Sequence, residues 1–273
     1  MERNIFLRCF KDSFRLIKKN KGLILAVFAV QLIFFSLLFF VFSNYSLKIG
    51  QSAVAIIEYV ETQDIDQVSV TEKLLKMENI LGDDPLLIYR EGRNIISSLI
   101  SLLLYFLLVF IVLNGLNWAL TDNLIHKKKV KDFFGYLAKF AVIALTYFLF
   151  AFLFLRAIIG TISLETFQLY HLLPLFLIFV IFYFMFVSLA LIGKNGYKSI
   201  VKKTFLIGMK KAHIIVLAYL ITLLIIGLVS ALLFFTSELN MIILFLALII
   251  FVFGFVYARV FFVLVVGRIS SHL

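Results

Sequence analysis

SLISLLLYFLLVFIVLNGLNWALT, residues 98–121, holds no charged side chain. About 20 apolar residues in helical form cross the hydrocarbon core of a bilayer, and this stretch is long enough to do so. A strand reading fails on pattern. In lipid, strands hide their backbone groups only in a closed barrel, whose strands alternate polar and apolar residues. Leu102-Leu103-Leu104-Tyr105-Phe106-Leu107-Leu108 does not alternate. The stretch is therefore a membrane-spanning helix, and it sets the class for the whole chain.

Composition extends that reading. The chain has 273 residues, 63% hydrophobic and 15% charged, with 33 Phe and a mean hydropathy of +1.11. Soluble chains carry about 25% charge, so the excess apolar surface needs lipid as its solvent. Five further stretches resemble 98–121: 23–42, 134–155, 172–192, 214–235 and 241–262. The expected fold is all-α, a polytopic transmembrane bundle of about six spans forming a single domain over 1–273. The apolar run 23–42 is too long for a signal-peptide core and lacks a small-residue cleavage site after it, so it reads as a permanent span. The single Cys9 excludes an internal disulfide.

Charge predicts the orientation. Lys and Arg are retained on the cytoplasmic side of short loops. Nineteen of the 26 basic residues fall in 1–22, at 127–139, at 194–211 and at Arg268, against four acids. Six fall on the opposite side against eleven acids. Both termini and the loops 122–133 and 193–213 are expected in the cytoplasm of a cell-membrane protein. Topology accounts for the pI near 9.7, and no nucleic-acid motif accompanies the charge.

Segment 1–22 predicts a cytoplasmic amphipathic helix over 5–19. Ile5, Phe6, Leu7, Cys9, Phe10, Phe14, Leu16 and Ile17 fall on one side of a helical wheel, and Arg8, Lys11, Asp12, Arg15, Lys18 and Lys19 on the other. Such a helix lies in the membrane surface with its basic side toward anionic headgroups. Segments 130–140 and 197–209 repeat the pattern. Lys11-Asp12-Ser13-Phe14, Lys131-Asp132-Phe133-Phe134 and Lys202-Lys203-Thr204-Phe205 mark a possible threefold unit of surface helix plus hairpin. The expected partners are anionic lipid headgroups, met by Arg8, Lys11, Arg15, Lys18, Lys19, Lys127, Lys128, Lys129, Lys202 and Lys203.

Residues 43–97 form the expected extracytoplasmic loop, with nine acids and five bases. An amphipathic helix is predicted over 68–81. Gly82-Asp83-Asp84-Pro85 then reads as a stop followed by an N-cap, from which a helix runs into the next span.

Few residues suggest chemistry. No Walker A, H-E-x-x-H, G-x-S-x-G or paired C-x-x-C is present. No metal, cofactor or catalytic residue is expected. His126, His171, His213 and His272 read as solvated or headgroup-facing, and the acids near the cytoplasmic ends as loop residues. Asn114, Asn117 and Arg259 form the candidate intramembrane polar site. Arg259 competes with a simpler reading, in which the last span ends nearby and its side chain snorkels outward. Asn114, Asn117 and Thr121 share a face that suits interhelical hydrogen bonding, and Trp118 suits an interfacial anchor. Small-residue pairs, among them Gly115/Ala119, Gly227/Ala231 and Gly254/Ala258, permit close helix approach.

Gly193-Lys194-Asn195-Gly196-Tyr197-Lys198-Ser199, followed by Thr204 to Ala212, resembles a group of prokaryotic six-span membrane proteins without an assigned activity. The membrane domain attached to some glycerophosphodiester phosphodiesterases is related to that group. Phe10 to Gly22 echoes the same pattern. The resemblance implies the fold and no catalysis, since no phosphodiesterase domain is present. The expected role is a scaffold or accessory protein acting through lipids or partners, and not an enzyme. The alternative is a transporter or channel, with a lipid or other hydrophobic cargo.

Overall fold

The computed structural model describes residues 3–62, 84, 86–127, 130–159 and 172–271, and every regular element among them is helical. In chain order these are α1 (Arg3–Lys19), α2 (Lys21–Thr62), α3 (Leu87–Val109), a π-helical turn (Phe110–Asn114), α4 (Gly115–His126), α5 (Val130–Ile159) and α6 (Leu172–Leu191). A 3-10 turn (Ile192–Lys194), α7 (Tyr197–Lys210), α8 (Ala212–Thr236) and α9 (Met241–Ser271) complete the order. Five helical stretches are long and apolar enough to cross a membrane: Lys21–Thr62, Leu87–His126, Asp132–Arg156, Ala212–Thr236 and Met241–Ser271. The remaining stretch, Phe176–Leu191 within α6, is shorter.

The chain divides into two compact units, one formed by residues up to Ile33 with those from Ile111 onward, the other by Phe34–Phe110. The second unit is a helical hairpin. Tyr45 stacks on Tyr105 at 5.8 Å between ring centres, and the Asp84 N–H donates to the Tyr59 hydroxyl at 3.3 Å. These pairs fix α2 and α3 antiparallel. The helices reach well into the expected loop 43–97. α2 alone has 42 residues, or about 63 Å at 1.5 Å per residue, about twice the hydrocarbon thickness. Asp84 does not cap α3. The N-cap is Leu86, without a side-chain bond, while Asp84 accepts from Arg90 at 3.3 Å. The helix expected over 68–81 lies outside the described residues.

In the first unit, α1 docks on α9. Cys9, Ser13 and Ile17 recur every four residues and are buried. The Phe10 ring meets Tyr257 edge-on at 5.2 Å, and the Tyr257 hydroxyl donates to the Phe10 carbonyl at 3.1 Å. Asp12 pairs with Arg268. The apolar side of α1 is thus divided between protein contact and an exposed line of Leu7, Phe10 and Phe14. Burial pushes the Cys9 thiol above its ordinary range. A water-soluble maleimide at neutral pH is therefore expected to leave Cys9 unmodified until the protein is denatured. Labelling in the native state at the rate of a free thiol contradicts the docking.

Segment 130–140 is the opening of α5, continuous with the span, whereas 197–209 forms the separate helix α7. α7 buries Ile200, Thr204, Ile207 and Gly208. A second stripe, Tyr197, Val201, Phe205 and Met209, stays exposed. The matching tetrapeptides take similar positions. Ser13 and Thr204 are buried, and the Phe after each, like Phe134, is exposed. Small residues matter where α8 and α9 meet. A Cβ on Gly254 would lie 2.8 Å from a methyl of Val229, while Gly227 has nothing within 4 Å.

Candidate functional site

The site begins where α4 ends. α4 extends to His126 and closes on Lys127, whose backbone is left-handed with φ 48° and donates to the Asn123 carbonyl at 2.8 Å. This keeps Asp122 inside the helix, and it is buried, at 3% exposure. The sequence reading placed Asp122 in a loop and gave His126 no carboxylate partner, and both expectations are corrected here. The two lie one helical turn apart, and His126 Nδ1 is 2.8 Å from Asp122 Oδ1.

The loop after α6 closes over this pair. A Cβ on Gly193 would fall 1.9 Å from Asp122 Oδ1, so only glycine admits the carboxylate at that distance. The chain then extends through Asn195 and Gly196 into α7. Asn195 holds the turn, donating to the Leu191 carbonyl at 2.9 Å and accepting from Ser199 at 3.2 Å. Lys139 of α5 donates to the Asn195 carbonyl at 3.0 Å. The glycine-rich stretch thus packs directly against the Asp122 carboxylate.

A second group lies deeper. Arg259 is half-buried, and its guanidinium donates to Gln31 of α2. It does not snorkel, because α9 continues to Ser271. Tyr136 of α5 is buried and donates to the Leu189 carbonyl at 3.3 Å. Arg259 Nη1 and both polar atoms of the Asn117 amide are buried without a hydrogen bond. A buried polar group left so costs about 1–3 kcal/mol. Thr121 donates back to the Asn117 carbonyl at 2.7 Å. Asn114 is buried but makes no bond to Arg259. Trp118 is buried and stacked on Phe186 at 6.4 Å, so it is no interfacial anchor. Gln31 and Tyr136 were missed in the sequence. An amide within the apolar run 23–42 was the only signal for the first.

A cavity of about 400 Å³ opens at the His126 end, between α4, the 3-10 turn, α7 and the last turns of α9. His126, Asn195, Lys203 and Arg268 line it, together with apolar residues such as Leu191 and Leu264. Arg8, Lys11, Arg15, Lys18, Lys19, Lys127 and Lys202 are exposed, whereas Lys203 is half-buried. Lys128 and Lys129 lie outside the described residues.

No protein-family model, curated protein or solved structure matches the chain. Its class rests on its own features, which are those of a helical membrane protein. Within that class the chain carries an acid–histidine pair and a half-buried arginine on an apolar helix.

Proposed function

We propose that the chain is a six-span cell-membrane protein with both termini cytoplasmic. It acts as a scaffold or accessory protein through anionic headgroups, without catalysis of its own. The observation that carries this reading is the exposed apolar stripe on α1 and on α7, bordered in each case by exposed cations. An apolar stripe beside Lys and Arg suits the headgroup boundary. The Asp12–Arg268 pair supports the span count. It ties α1 to the end of α9, which favours an even number of crossings between them, with α6 as the sixth. Among the described residues no group of three or more His, Cys, Asp or Glu is placed to hold a metal.

Spin labels at Phe14 and Arg15 test the surface helices. Phe14 is expected to report oxygen access from lipid, and Arg15 access to a water-soluble nickel chelate. Equal water access at both sites sinks the reading. New cysteines at Lys127 and Glu61 test the orientation, the first labelling only from the cytoplasm and the second only from outside. The reverse pattern rejects it.

A second reading, passage of a lipid or other hydrophobic cargo, is favoured by the half-buried Arg259 within an apolar helix and by an apolar groove of about 420 Å³ along α5, α6 and α7. Liposome flux that is lost in Arg259→Leu with the fold intact selects this reading over the first.

A further inference from the structure

The cavity beside His126 is built for an anion. Three of its lining side chains, Lys203, Arg268 and His126, are cationic or become so on protonation, and they come from three different helices. Two of these three already meet a neighbouring acid: Asp122 lies 2.8 Å from His126 Nδ1, and Asp12 holds Arg268 and lies 3.8 Å from Arg15. Lys203 is half-buried and has no ion pair among the described residues. A cation drawn partly out of water without a counter-charge is destabilising, and a bound anion removes that cost.

The other groups narrow the anion's chemistry. The Asp122 carboxylate meets Nδ1 of His126, so Nε2 is the ring nitrogen left for a ligand in the cavity that His126 lines. Asn195 lies on the same lining. Several donors converging from different elements suit the multiple oxygens of a phosphate group. The volume suits a small molecule or headgroup and is too small for a helix of about 10 Å diameter. The wall carrying Leu191 and Leu264 is apolar, so the ligand has an apolar part beside its charge.

We propose that this cavity binds a phosphate-bearing amphiphile, with Lys203 and Arg268 contacting the phosphate and His126 donating from a ring fixed by Asp122. The inference rests on the reading that this end of the chain faces anionic headgroups. The same chemistry arises from a membrane lipid or from a soluble phosphate compound.

Native mass spectrometry of the purified chain separates these sources, using phosphatidylglycerol in one arm and inorganic phosphate in the other. Lys203→Gln removes the unpaired cation. Gly267→Leu adds an apolar side chain to the cavity lining, at a position where a Cβ meets nothing within 4 Å. A single retained phosphatidylglycerol, weakened about tenfold in both variants, supports a lipid ligand. Displacement of that lipid by millimolar phosphate, or stabilisation by phosphate that Gly267→Leu abolishes, supports a soluble one. Binding of neither probe, or binding unchanged in both variants, overturns the proposal. The Phe14 spin label, read on the same sample, keeps the two ideas apart. If Phe14 is in water and the lipid adduct persists, the surface-helix reading fails and the cavity stands.

Discussion

Gly193→Ala is expected to destabilise the protein by about 3 kcal/mol. The added methyl would lie 1.9 Å from Asp122 Oδ1, a distance that no contact sustains. Either the loop after α6 lifts or the carboxylate turns away from His126. The first loses packing, at about 1–3 kcal/mol. The second disturbs a buried, hydrogen-bonded charge, at about 3–5 kcal/mol. The penalty belongs to the pair, so it is expected to shrink below about 1 kcal/mol in an Asp122→Ala background. Thermal unfolding of the four proteins in one detergent closes the cycle. An equal penalty in both backgrounds means that Gly193 is needed for some reason other than the Asp122 carboxylate.

Gln31→Leu is expected to cost about 1–3 kcal/mol by leaving the half-buried Arg259 without its acceptor, since stranding one member of a polar pair costs more than removing both. Arg259 already carries one guanidinium nitrogen without a bond, and Gln31 accepts from the other. The double variant Gln31→Leu/Arg259→Met replaces both with apolar groups and is expected to recover most of that loss. If the double variant is less stable than Gln31→Leu alone, Arg259 has a stabilising partner other than Gln31. A stable double variant that has lost lipid or ion flux in liposomes places Arg259 on a transport path.

Hydropathy made the helices legible because lipid punishes any break in an apolar run, and 98–121 announces itself on that ground. It did not mark where helices end. Asp122 and His126 stand four residues apart in the sequence, the spacing of helix neighbours, yet the basic run from Lys127 suggested that the loop starts at 122. Backbone geometry settles the end instead, through the left-handed Lys127. Arg259 misled in the same way, since the apolar run thins there while α9 continues to Ser271. The cavity depends on Gly193, Lys203 and Arg268 meeting across the fold, and no local pattern encodes such a meeting. The cationic side of α1 was readable from its wheel. The division of its apolar side was not, because Cys9, Ser13 and Ile17 find a partner about 250 residues away.

That separation bears on how the chain is made. α1 leaves the ribosome well before Tyr257 and Arg268, the groups that receive it. At about 5–20 residues per second, synthesis of the intervening chain takes roughly 12–50 s. Throughout that interval Cys9 and the Phe10 ring lack the α9 surface on which they dock, while Ile17 can already meet Ile24 and Val27. A nascent chain with so greasy a segment needs a temporary home, and the bilayer surface beside the translocation machinery offers one. α1 is thus locked in place only once α9 has been made.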